Sequence, residues 1–86
     1  MNTTEARSAQ EIWESALTEL KSQLSKASYR IWLKKTVGLC HQGNQFVVSV
    51  PNEFVAQYLD KTQRSLIQKT LITITHRDIE VGFTVL

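Results

Sequence analysis

Apolar and polar positions along this chain repeat with two different periods, and the places where the period changes divide it into elements. Ser8-Ala9-Gln10-Glu11 has the spacing of a capping box, with Ser8 as N-cap and Glu11 reaching back to it. After it Ile12, Trp13, Ala16, Leu17, Leu20 and Leu24 recur at intervals of three and four, one apolar stripe along a helix of about four turns. Glu14, Thr18, Lys21 and Ser22 fall on its other side. Ser25 is placed to cap a second, shorter helix with Tyr29, Trp32 and Leu33 on an apolar face and Lys26, Arg30 and Lys34, four apart, opposite. The period then drops to two. Thr36 to His41 reads as a strand, Gln42-Gly43-Asn44 as a turn, and Gln45 to Val50 as the hairpin partner, with Phe46, Val48 and Val50 sharing one face.

Pro51 has no N–H for the ladder, and Asn52 is a good N-cap, so the strand ends there and a helix begins. That helix carries Phe54, Val55, Tyr58 and Leu59. Near Lys61-Thr62 the pattern restarts after a kink as Leu66, Ile67, Thr70, Leu71 and Ile74. Ile79, Val81, Phe83 and Val85 alternate with Glu80, Gly82 and Thr84, the mark of a half-buried strand. The order α-α-β-β-α-(α)-β predicts an α+β fold, a three-stranded sheet with helices packed on one face. Residues 1 to 7 are polar and read as a disordered terminus, leaving 8–86 as a single domain.

Composition narrows the functions open to it. With 86 residues, 42% of them apolar and 21% charged, the chain can build one modest core but no deep cleft between lobes. A net charge of +2 does not by itself demand a nucleic-acid partner. The single cysteine, Cys40, has no intramolecular partner for a disulfide, and the first ten residues lack the apolar core of a signal peptide, so a cytoplasmic address is expected. No apolar run has the length to cross a bilayer.

Candidate chemistry is sparse. Cys40 and His41 are adjacent, but neighbours on a strand point to opposite faces and cannot act as nucleophile and base. His76 has no second histidine or cysteine at metal spacing, and Gly38, Gly43 and Gly82 are too scattered to cradle a phosphate. The carboxylates are spread over several elements. The expectation is a non-enzyme without cofactor, metal or small-molecule substrate. The basic run Lys26, Arg30, Lys34 and Lys35, extended by Lys61 and Arg64, fits either a solvated helix face or a phosphate-tracking one. Single-strand binders add exposed aromatic platforms, and the aromatics here fall mostly on apolar stripes, which favours the solvated face. Trp32 fits its helix's core stripe. Trp13, at the edge of its stripe, is placed either to pack inward or to anchor an interface.

Ile12-Trp13 at the start of the first helix, Tyr29-x-x-Trp32 on the second, the hairpin, and Val50-Pro51-Asn52-Glu53-Phe54-Val55 together resemble the amino-terminal domain of DnaA, the bacterial chromosome replication initiator. The resemblance covers about residues 9 to 85. It implies a KH-like platform that self-associates through the surface holding Ile12 and Trp13, and docks the replicative helicase and initiation regulators through Ser28, Asn52, Glu53 and Phe54. Some members of the family carry an acidic residue where this chain has Ser28, a difference that bears on the electrostatic part of the contact. The resemblance also implies weak single-stranded DNA binding, for which Lys26, Arg30, Lys34 and Lys35 are the candidates. Phe54 is expected to be presented to a partner, since Val55, Tyr58 and Leu59 suffice to anchor its helix.

The chain has no G-x-x-x-x-G-K-[ST] loop, so nucleotide hydrolysis is not expected of these residues. Ending directly after the last strand, it reads as the first domain of a longer initiator or as a small stand-alone relative. The alternative function, a nucleic-acid-binding KH-like module, would call for a GXXG backbone clamp, which the sequence lacks.

Overall fold

The computed structural model describes residues 8–86, so the expected disorder of 1–7 lies outside the described residues. Helix α1 runs Ala9–Gln23 and opens on the predicted capping box, Ser8 Oγ accepting from the Glu11 amide and Glu11 Oε1 from the Ser8 amide. Ser25 caps α2, Lys26–Ser28, which continues as a π-helical segment, Tyr29–Leu33. Strands β1, Val37–Gln42, and β2, Gln45–Val50, form the hairpin. Asn52 Oδ1 accepts from the Val55 amide to start α3, Glu53–Tyr58. A second π-helical segment, Leu59–Gln63, stands where the pattern predicts a kink and leads into α4, Arg64–Thr75, before β3, Glu80–Val85. Each side-chain cap contributes about 1 kcal/mol, too little to hold such short helices in water, so packing must do the rest.

That packing is α+β as expected. The sheet order is β1-β2-β3, with β1 antiparallel and β3 parallel to β2. The parallel pair needs a crossover, and α3, the second π segment and α4 supply it. Phe46, Val48 and Val50 face one side of β2 and are buried against Trp13, Ala16 and Leu20 of α1 and Leu59, Ile67 and Leu71 of the crossover. Two helical glutamines cover outward amides of the edge strands: Gln10 Oε1 accepts from Gly38 and Gln68 Oε1 from Val81.

β1 begins one residue later than the sequence predicts. Thr36 is drawn into the core instead, its amide and hydroxyl both donating to the Leu33 carbonyl. Of the two tryptophans, Trp13, which the sequence leaves open between core and interface, is enclosed, and Trp32, expected in the core, is at the surface. Trp13 is fully buried, and its indole N–H donates to Thr36 Oγ1 at 2.9 Å. Ile12 beside it is also buried, so within the single chain neither side chain is open on the surface that the resemblance assigns to self-association. Trp32, expected in the core, is half-buried at the surface while Leu33 takes the interior position. The cause is the π-helical turn, marked by the Lys34 amide donating to the Tyr29 carbonyl. A wider turn takes Tyr29, Trp32 and Leu33 off a single stripe, and the first two flank the third.

α1 lies so close to β1 that only glycine fits at 38: a Cβ there would stand 2.5 Å from the Ala9 carbonyl oxygen and 2.6 Å from the Trp13 Cβ. Gly38→Ala should therefore destabilise by about 1–3 kcal/mol, the range for overpacked cores, read as a lower urea midpoint with unchanged slope. Thr36→Val keeps the shape but strands the buried Trp13 N–H, and the same melt should show a loss of about 1–3 kcal/mol.

Candidate functional site

Three aromatic rings that the sequence separates meet at one corner of the surface. Trp32, from the first π segment, stacks on Tyr58 of α3, ring centroids 3.7 Å apart and planes 14° from parallel. Phe54, one turn earlier on α3, is tilted against Trp32 with ring centroids 5.5 Å apart. Phe54 and Tyr58 are four apart on a helix, so they share a face, and the Asn52 cap fixes where that face begins. Phe54 is 71% exposed, and Ile31, beside Trp32 in the chain, is 62% exposed. Val55 and Leu59 bury the opposite side of the same helical run.

An aromatic pair of this kind contributes about 0.5–1.5 kcal/mol beyond area burial, enough to hold Trp32 and Tyr58 in place. Phe54 contributes little to the fold, since most of its surface still meets water. The corner is thus a fixed aromatic base with one projecting ring. Of the residues expected to dock a partner, Asn52 and Glu53 stand exposed beside Phe54, although the Asn52 side-chain oxygen is already committed to the cap. Ser28, half-buried, lies one turn before Trp32, its amide held by Ser25 Oγ.

The basic residues form a separate feature. Lys26, Arg30 and Lys34 line a groove together with Lys21, Thr18 and Ser22 of α1, and Tyr29 is among its walls. Lys21 Nζ lies 5.1 Å from the centre of the Tyr29 ring. Lys35 is exposed but does not line this groove. Arg64, an expected extension of the basic run, is instead paired with Asp60 at 2.5 Å.

Cys40 and His41 project to opposite sides of β1 as expected: the cysteine is exposed, and His41 packs against Phe46 with ring centroids 5.4 Å apart. The His41 Nε2 is buried without a hydrogen-bond partner. Among the described residues no group of His, Cys, Asp and Glu could hold a metal ion, and no helix is long and apolar enough to cross a membrane.

Sequence reasoning found Phe54 from its place in the first turn, but missed its neighbours. Trp32 and Tyr58 carry no local signal of their pairing, being 26 positions apart across the hairpin. The one available hint was the i, i+4 spacing of Phe54 and Tyr58, two rings where Val55 and Leu59 already anchor the helix. The spacing puts Lys21 on the solvent side of α1, and its approach to Tyr29 depends on how two helices pack.

The DnaA N-terminal domain family model matches residues 10–72, from the start of α1 well into α4. That stretch is most of the chain and contains both the aromatic corner and the basic groove. The chain therefore belongs to the DnaA N-terminal domain family, which acts in the initiation of DNA replication.

Proposed function

We propose that this domain acts by docking, with the Trp32–Phe54–Tyr58 corner as the contact surface for the replicative helicase and for regulators of initiation that compete for it. The observation that carries this reading is the exposure of Phe54, at 71%, on a base of two stacked rings. Interface energy concentrates in a few aromatic residues that fill a partner's pocket, and a projecting ring held by rigid neighbours loses little entropy on insertion. Family membership supports the setting, a non-catalytic interaction domain in replication initiation.

Self-association through Ile12 and Trp13 is not part of this reading. Both are spent in the core, and exposing Trp13 would break its bond to Thr36. Glu53, exposed in the first turn of α3, supplies a negative charge at the rim of the corner, where it favours a basic residue on the partner and affects on-rate more than affinity.

Phe54→Ala tests the proposal. Stability should fall by no more than about 1.5 kcal/mol, since the ring is mostly solvated and loses only its tilted contact with Trp32. Affinity for the host's replicative helicase, measured by calorimetry, should fall at least about tenfold, the size expected when an interface anchor is truncated. A stable variant with undiminished affinity would contradict the docking role, and a large loss of stability would show that the ring belongs to the core.

A further inference from the structure

The basic groove between α1 and α2 stands apart from the aromatic corner and is not used by it. Four cations converge there, Lys21, Lys26, Arg30 and Lys34, and its lining contains no carboxylate. Among the described residues none of the four makes an ion pair. Lys26 is the first residue of α2, directly after the Ser25 cap, where the helix dipole disfavours a positive charge. Among the described residues no carboxylate pairs with it, so its charge is uncompensated there. We propose that this groove is a docking site for an acidic peptide segment of a partner protein.

The chemistry of the groove favours a peptide over a single-stranded nucleic acid. Sequence-tolerant strand binding relies on open aromatic faces on which bases stack. The one ring in the groove, Tyr29, is half-buried and has the Lys21 ammonium near it. Trp32 and Tyr58 are stacked on each other at the aromatic corner, outside the groove. Carboxylates, by contrast, need only the cationic heads, which form charge-assisted hydrogen bonds with them. The aliphatic stems of the lysines and the Tyr29 ring leave an apolar floor for a leucine or similar side chain between the acids.

The spacing sets the form of the ligand. Lys26, Arg30 and Lys34 follow at intervals of four through α2 and the π-helical segment, and all three reach the same groove. Glutamates along one face of an amphipathic helix offer a complementary line of charge, with Lys21 on the facing wall closing the groove.

The test uses the whole chain and two fluorescent probes at low salt: an amphipathic peptide of about twelve residues with glutamates four apart and leucines between them, and an oligothymidylate of similar length. Anisotropy should show the peptide binding more tightly than the oligothymidylate and weakening as salt is added. Arg30→Glu and Lys26→Glu should each lower peptide affinity at least tenfold. Lys26→Glu should also keep or raise the melting temperature, because it reverses an unfavourable charge at the helix start, so its loss of binding will not be a loss of fold. Phe54→Ala should bind the peptide as the parent does, which separates this site from the aromatic corner. Tighter binding of the oligothymidylate would overturn the proposal in favour of a nucleic-acid groove. Peptide binding indifferent to both charge reversals, or no peptide binding at all, would overturn it outright.

Discussion

One buried hydrogen-bond chain holds three elements in register: the Trp13 indole donates to the Thr36 hydroxyl, which donates to the Leu33 carbonyl. It joins α1, the entry to β1 and the end of the first π segment. Trp13 is the largest fully buried side chain, yet it carries a polar N–H that costs about 1–3 kcal/mol if left alone. Thr36 satisfies it. In doing so the threonine is pulled off the strand, and Gly38 lets α1 lie against β1 without a Cβ between them.

The position of both surface features follows from that brace. Because the Leu33 carbonyl is engaged by Thr36, the chain between Ser25 and Thr36 must end its helix at a fixed place, and the π-helical turn distributes the side chains around it. Leu33 goes inward, Tyr29 and Arg30 turn toward α1, and Trp32 turns toward α3. A regular α-helix would have kept Tyr29, Trp32 and Leu33 on one apolar stripe. Two surface features of different chemistry, one aromatic and one cationic, thus arise from adjacent residues of a single short segment. π-helical turns concentrate at functional positions for this kind of reason.

Local signals made most of the fold readable in the sequence. The caps at Ser8, Ser25 and Asn52 act within three residues, and the alternation of Phe46, Val48 and Val50 declares a strand face without reference to the rest of the chain. What could not be read depends on contacts between distant segments. The parallel pairing of β3 with β2, the fit of α1 over Gly38 and the stacking of Trp32 on Tyr58 all require the assembled structure. The tryptophans show this most clearly. Both sit on apolar stripes, and the partner Thr36, 23 positions from Trp13, together with the π-helical turn at Trp32, sets which one is enclosed. Of the candidate site, Phe54 was legible because the first turn of a helix lies at the end of its stripe, whereas the base beneath it was not.

Trp13 is enclosed and Trp32 lies at the surface, so the indole N–H resonances of the two report on core and corner independently. The measurement that tests this most directly is a titration of the isotopically labelled chain with the replicative helicase, following those two signals. The Trp13 signal should be protected from solvent exchange and stay in place, while the Trp32 signal should exchange readily and shift or broaden as helicase is added. A titration that moved Trp13 and left Trp32 unchanged would contradict the assignment of the aromatic corner as the docking surface.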